Sequence, residues 1–463
     1  MALYPRLVRN VLHPLALYRR GETAQLRYLG EFERTQFLSM EQVRDLQLAR
    51  LRTLFEHAYQ HCPYYRHRFD RMGMVPGDLR TLEDLQSFPV LEKRDIQEQC
   101  ERLVADNWPK HDLIRNQTGG STGTPIAFYL SRERKCSRAA ATVRHNRWAG
   151  WDIGDRTAAI WGAPQDVPER GLWGRLRNTL LERQHFLDTG HLTEARMKEF
   201  YQALKTTHPR VILAYARSAV MFARFLLAQG LTPYQPHSIV TSAEVLEPNE
   251  RLLLEEVFGC PVFNRYGCRE VSVIASECDE HDGLHTMAEG LYIEIAHGQR
   301  LAPEGELGDI LVTDLLNFAM PLIRYRIGDV GAWQPGRCRC GRGLPRLRQV
   351  AGRVTDFLVG GDGRLVSGVF LATYLIAQRP SLGQVQMLQN VAGQVKFLIK
   401  RGADFRDDED LPYLERTTRR YLGEDLVLDW EFVDDLPPEP SGKFLFCRSK
   451  ATPNYCLSGT VTP

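Results

Sequence analysis

The sequence predicts an α/β protein: a large N-terminal body of several subdomains followed by a small α+β C-terminal domain. Three observations carry that expectation. Between Thr157 and Phe263, short apolar runs rich in β-branched residues alternate with longer helical patterns; after Leu291 the runs are short and divided by Gly and Pro; near Gly352 the pattern changes again. A chain of 463 residues with 43% hydrophobic content is also too long for one compact core.

The start, MALYPRLVRNVLHPLALYRRGE, mixes apolar and basic residues without a long unbroken apolar segment or a small-residue cleavage site. No secretory leader is expected. The segment is read as packing onto the main body, with peripheral contact with a membrane or partner as the alternative. From Gln25 to Phe69 apolar residues recur at helical intervals, and Ser39 followed by Gln42 fits a capping box. Residues 77–98 offer short helices broken at Pro89.

In the middle, TAAIW (157–161), VILAYA (211–216), SIVT (238–241) and Pro261–Phe263 read as strands, with TEARMKEFYQALKTT and RSAVMFARFLLAQG as helices between them. LYIEIA and GDILVTDL read as strands of an additional sheet. Beyond Gly352, the turn signal Asp362-Gly363 precedes a β/α mixture. The expected domains are 1–352, 353–450 and a tail, 451–463.

Composition narrows the function. Charged residues make up 25% and the net charge is +2, which disfavours a globally basic nucleic-acid binder and a disordered acidic chain. No run reaches the roughly 18 apolar residues of a membrane span, so no stable membrane insertion is expected and the cytoplasm is the simplest address. Ten cysteines are too dilute for a disulfide scaffold, and Cys260, in VFGCPVF, reads as a buried thiol.

The sharpest local signal is Thr118-Gly119-Gly120-Ser121-Thr122-Gly123-Thr124-Pro125. Its glycines permit close backbone approach to a ligand, and its amides and hydroxyls can donate to phosphate oxygens. It lacks the Lys-Ser/Thr ending of a Walker loop, and an ordinary Gly/Ser/Thr turn fits equally well. Further on, Ser242-Ala243-Glu244 follows a strand and can sit beside a nucleotide or start a helix. In Asn264-Arg265-Tyr266-Gly267-Cys268-Arg269-Glu270, Glu270 is a ligand for phosphate-bound magnesium or a salt-bridged carboxylate. Pro321 to Gly331 contains Arg324, Arg326 and Asp329; the acid can accept from both ribose hydroxyls and an arginine can screen phosphate, or acid and arginine can pair. Gly352-Arg353-Val354-Thr355-Asp356 marks the domain boundary, and Pro440-Ser441-Gly442-Lys443-Phe444 places a lysine after a permissive turn.

Taken jointly, these segments resemble the adenylate-forming superfamily, more narrowly its phenylacetate-CoA ligase and CapK-like branch, from about Tyr64 to Lys450. TGGSTGTP looks like that family's phosphate loop, SAE its adenine-side segment, YGCRE its aromatic and magnesium-binding segment, YRIGD its ribose-binding segment, GRVTD its hinge and SGKF its catalytic-lysine segment. The resemblance implies ATP contacts from the loop, from Ser242, Ala243, Glu244, Tyr266 and Gly267, and from Asp329 and Arg353. It implies magnesium at Glu270, catalytic assistance from Lys443 and Arg326, a mobile C-terminal domain and a homodimer. Where the broader superfamily often has lysine before the loop's proline, this chain has Thr124.

Cys278 precedes His285, and Cys338-Arg339-Cys340 supplies two more thiols. Together they can satisfy tetrahedral zinc, as a similarly placed element does in the resembled ligases, with His281 as a competing ligand; unrelated reduced cysteines or redox chemistry are the alternatives. A Cys3His set leaves no open position for hydrolysis. Cys268 has no adjacent base to mark it as a nucleophile and can line the acyl pocket or pack beside nucleotide. The run Arg337, Arg339, Arg342, Arg346 and Arg348 can meet a polyphosphate or form a solvated face.

The implied activity is ATP-dependent conversion of a carboxylic acid to an acyl-adenylate, then transfer to CoA or another thiol, with release of pyrophosphate and AMP. Transfer to an amine or to a carrier-protein phosphopantetheine in natural-product or envelope synthesis is one alternative. A non-catalytic nucleotide-binding scaffold is another.

Overall fold

The structure, a computed structural model, describes residues 3–117, 126–161, 171–189, 193–351, 357–362, 364–376, 378–436 and 446–451. Helices α1 (Leu3–Leu7), α2 (His13–Arg20), α3 (Ala24–Thr35), α4 (Met40–His61), α5 (Pro63–Met72) and α6 (Lys93–Leu103) come first, with a π-helical turn, Val8–Leu12, joining the first two. The capping box forms: Ser39 Oγ accepts from Gln42 N–H at 3.2 Å, and Gln42 Oε1 accepts from Ser39 N–H at 2.9 Å. Strands β1 (Ile114–Gln117) and β2 (Ala127–Leu130) pair antiparallel and lead into α7 (Arg132–Trp148).

An alternating series follows: β3 (Thr157–Trp161), α8 (Leu172–Arg177), β4 (Gln184–Asp188), α9 (Glu194–Thr207), β5 (Val211–Tyr215), α10 (Ala216–Ala228), β6 (Ser238–Ser242), α11 (Pro248–Phe258) and β7 (Val262–Cys268). Then come β8 (Ser272–Glu277), β9 (Leu284–Thr286), β10 (Leu291–His297), β11 (Arg300–Leu301), β12 (Gly308–Asp314), β13 (Tyr325–Gln334) and β14 (Arg346–Ala351). The C-terminal part contains β15 (Phe357–Val359), β16 (Leu365–Ser367), α12 (Gly368–Leu371), β17 (Gln384–Gln389), β18 (Gln394–Lys400), α13 (Asp407–Leu422), β19 (Val427–Phe432) and β20 (Cys447–Ser449).

The additional sheet expected after Leu291 is instead the continuation of the α/β sheet. Twelve strands run in the order β11-β10-β12-β13-β14-β9-β8-β7-β6-β5-β3-β4. Neighbours from β4 to β7 are parallel, and β7 turns the pattern antiparallel by pairing Arg265 with Ser276 of β8. The strand expected to stop at Phe263 runs on to Cys268, which carries the YGC residues into the sheet.

Strand alternation sends Ala158, Ile160, Ile212 and Ala214 to one face of the parallel half, where Phe200, Phe222, Phe225 and Leu254 of α9, α10 and α11 bury them. Ala159, Trp161, Leu213 and Tyr215 point to the other face and line a cleft. The antiparallel half is covered by α3 to α6, with Phe55 edge-on to Phe69 at 5.3 Å. The C-terminal part has its own core around Leu375, Phe397 and Leu414.

Candidate active site

The cleft encloses about 550 Å³ over the carboxyl ends of β3, β5 and β6, where ligands of open α/β sheets bind. Aromatic side chains of Trp161 and Tyr215, with ring centroids 4.2 Å apart, form part of its wall, and Phe370 of α12 reaches it from the C-terminal part.

Two hydrogen bonds bring distant motifs together beside it. Tyr266 Oη donates to Asp329 Oδ2 at 2.8 Å, and Tyr325 Oη donates to Glu270 Oε1 at 3.0 Å. Burial and then the Asp329 charge push the Tyr266 phenol well above its ordinary range, so it stays a donor. Tyr325 is buried and holds Glu270, also buried, from the neighbouring motif. Gly267 makes this crossing possible: a Cβ there would lie 2.5 Å from Ser272 O, and the pairing with β8 shifts register between Tyr266 and Gly267. Cys268 lines the cleft, and burial followed by the Glu270 charge raises its thiol well above the usual value, the opposite of an activated nucleophile.

Ser242 and Ala243 also line the cleft, Ala243 with a left-handed φ of 68°. Glu244 is turned to the start of α10, where its carboxylate accepts from Arg217 N–H at 2.8 Å. The arginine expected to assist catalysis is placed differently. Arg326 pairs with Glu92 at 3.0 Å and with Asp309, because strand alternation sends it away from the side on which Tyr325 meets Glu270. Arg324 is buried against Glu294 at 3.0 Å. The loop Thr118–Pro125, the hinge segment with Arg353, and Lys443 lie outside the described residues.

Sequence reasoning missed Arg138. It lines the cleft from α7; Nη2 donates to Arg269 O at 2.6 Å, while Nη1 is buried with no hydrogen-bond partner among the described residues. Burial, followed by the Arg134 charge, lowers its pKa to about 10. Arg134, one turn earlier, fixes the helix through a buried pair with Asp314 at 2.8 Å. The signal was RERKCSRAAATVRHN, a basic helix whose buried face holds Arg134 and Arg144, unusual for side chains with that desolvation cost.

The Cys/His residues converge. Ligand atoms of Cys278, His285, Cys338 and Cys340 all lie within 4.8 Å of one another. Cys278 Sγ and Cys338 Sγ are 3.7 Å apart, against about 3.8 Å for the edge of a tetrahedron with 2.3 Å metal–sulfur bonds. Cys340 Sγ is 3.3 Å from His285 Nε2, and His285 Nδ1 bonds Leu344 O at 3.1 Å, leaving Nε2 to ligate. His281 is instead held by Glu277 at 3.1 Å. Of the nearby arginines, Arg346 pairs with the Asp282 carboxylate at 2.5 Å and Arg342 donates to Gln36 at 2.9 Å while lying over Trp148. Those two serve the element rather than a polyphosphate.

Residues 358–450 match the family model of the CapK C-terminal domain. The chain is 28% identical over 340 residues to phenylacetate-coenzyme A ligase of Pseudomonas putida, covering 69% of this chain and 73% of that protein. It is 22% identical over 414 residues to CapK of Staphylococcus aureus, covering 87% and 88%. Among solved structures, a 2-hydroxyisobutyryl-CoA ligase in complex with 2-HIB-AMP and CoA shares the fold, with a TM-score of 0.64 at 20% identity over 90% of this chain and 92% of that one.

Proposed function

The chain matches the adenylate-forming superfamily, phenylacetate-CoA ligase and CapK homologues included, at moderate identity, and from that premise we propose that it is an AMP-forming acid–thiol ligase. A substrate carboxylate oxygen attacks the ATP phosphorus next to ribose, the bond to pyrophosphate breaks, and the acyl-adenylate then passes its acyl group to a thiol, releasing AMP. The observation that carries this reading is the pair of hydrogen bonds, Tyr266 to Asp329 and Tyr325 to Glu270, that join two separate motifs at one cleft.

In this reading Asp329 accepts from the ribose, the loop Thr118–Thr124 cradles phosphate, and Ser242 and Ala243 flank the adenine. Glu270 is the residue to hold magnesium, which when bound offsets triphosphate charge. Lys443 approaches from the domain after Gly352 to stabilise charge in the first step and withdraws for the second, with Arg353 near the hinge. Enclosure by Trp161, Tyr215 and Phe370 limits hydrolysis of the adenylate. Cys278, His285, Cys338 and Cys340 hold a structural zinc, supported by their spacing and the second bond of His285. The proposal extends to a cytoplasmic homodimer using CoA.

Mass detection after incubation with ATP, magnesium and a panel of carboxylic acids tests it: an acyl-AMP that becomes a thioester when CoA is added is expected. Acyl-AMP that is consumed only by amines or a carrier protein moves the second step to the alternative acceptor. Nucleotide binding without any acyl-AMP across the panel contradicts the proposal.

A further inference from the structure

The N-terminal helical segment has two apolar sides, and only one has a partner in the fold. Val8 and Leu17 are buried, Leu12 packs against the core, Arg9 pairs with Asp152 at 2.9 Å, and Tyr4 Oη donates to Leu180 O at 3.0 Å. On the other side Leu3, Leu7, Val11, Leu15 and Tyr18 are exposed, Leu3 at 84% and Tyr18 at 74%. Steps of four, four, four and three residues place them along one stripe, about 22 Å long at 1.5 Å per residue. Beside it, α8 and the turn after it add Trp173, 79% exposed, with Leu176 and Leu180 at helical spacing. Such contiguous exposed apolar surface marks an interaction site.

The segment's own charges are of one sign, and the acids beside it are already paired, Asp152 with Arg9 and Glu182 with Arg177 at 2.9 Å. The first 21 residues contain no acid, while Arg6, Arg19 and Arg20 are exposed, as is Arg175 on α8. Next to Tyr4 and Pro5 lies a separate pocket of about 380 Å³ into which the loops before β3, β4, β5 and β6 bring Arg156, Arg183, Arg210, His208 and His237, with Asp155 the one acid lining it. Each arginine is steadied by a carbonyl: Arg156 donates to Thr207 O at 2.6 Å, Arg183 to Gly154 O at 2.6 Å and Arg210 to Gly150 O at 2.8 Å. Burial and the Arg156 charge lower the Arg183 pKa, a like-charge cost that a bound anion relieves.

We infer that this face docks the protein on an anionic phospholipid surface, with the stripe and Trp173 entering the interface and a headgroup phosphate in the arginine pocket. Sign of charge selects this occupant. A symmetric pair of copies joined through the stripe brings Arg6, Arg19 and Arg20 towards their own counterparts, whereas anionic lipid complements them, and aromatic side chains at the rim suit the headgroup layer. The inference is independent of the catalytic reading.

Vesicle flotation of the full chain tests it. Flotation with phosphatidylcholine–phosphatidylglycerol vesicles and little with phosphatidylcholine alone is expected. Leu7→Glu with Leu15→Glu should abolish it, and Arg156→Ala should weaken it about fivefold, the equivalent of one surface arginine. Brominated lipid should quench tryptophan emission, and Trp173→Phe should remove that quenching; this variant decides the matter if the glutamate pair unfolds the chain. No flotation on anionic vesicles, flotation unchanged by the leucine substitutions, or a lipid-independent dimer that the same substitutions dissolve would each overturn the inference, the last by assigning the stripe to a second copy.

Discussion

Tyr325→Phe removes one hydroxyl from a buried ring and keeps the ring's volume, so no cavity complicates the outcome. The lost bond is the 3.0 Å donation to Glu270 Oε1. A hydrogen bond to a charged group contributes about 1.5–3 kcal/mol net, and because Glu270 is buried, water does not readily replace the donor. Urea unfolding should therefore register a loss in about that range. If Glu270 is also the metal-side carboxylate, the same free energy appears in the chemistry as a fall of roughly tenfold to a hundredfold at about 1.4 kcal/mol per decade. The assay is acid-dependent exchange of labelled pyrophosphate into ATP, run across magnesium concentrations. A stability loss with undiminished exchange and unchanged magnesium dependence would refute the reasoning, because it would leave the bond as fold support alone.

The other predictions concern separate parts of the molecule. Arg138→Met should lower exchange with little net change in stability, because the Nη2 bond to Arg269 O is lost while the desolvation cost of a buried guanidinium, whose Nη1 has no partner among the described residues, is relieved; kinetics and urea titration measured side by side check both halves. Lys443→Ala should depress adenylation far more than thioester formation from supplied acyl-adenylate, and equal loss in the two half-reactions contradicts the role given to it. On the proposed zinc reading, Cys278→Ser should reduce bound zinc, measured by elemental analysis, and lower Tm, since the four clustered side chains come from segments on either side of β13. Burial, then Arg144, holds the His145 pKa well below its ordinary value. An unfolded chain binds the proton that the folded one refuses, so stability is full above about pH 6.5 and falls as the pH drops below it. His145→Gln should lessen that slope in urea titrations between about pH 7 and pH 5, the remainder coming from other histidines whose pKa burial also lowers, such as His13, His57 and His185.

Most of the parallel half of the fold was legible because buried strands such as TAAIW and SIVT stand out between amphipathic helices, and Ser39 and Gln42 announced their cap; the edge strand β4 was missed because QHFLD is polar and only partly buried. The continuity of the sheet was not: it depends on β8 and β9, short strands whose pairing across Arg265, Ser276 and His285 no local pattern reveals. At the site, YGCRE and YRIGD were legible as segments, but which side chains face each other was not. Alternation along β13 turns Tyr325 to Glu270 and sends Arg326 to Asp309, and a one-residue change of register would reverse that choice. Arg138 was missed because its significance comes from burial and an unsatisfied N–H, which are properties of the packed molecule. His285 was already placed in the Cys/His set from the sequence with His281 as its competitor, and three dimensions decide between them, since His285 lies beside Cys340 and His281 is held by Glu277.

A crystal structure with ATP, magnesium and a carboxylic acid substrate tests the central claim most directly. The account predicts one nucleotide at the carboxyl ends of β5 and β6, its ribose on Asp329, its metal on Glu270 and the acid oxygen facing the innermost phosphorus. A nucleotide bound elsewhere, or one that contacts neither carboxylate, would contradict it.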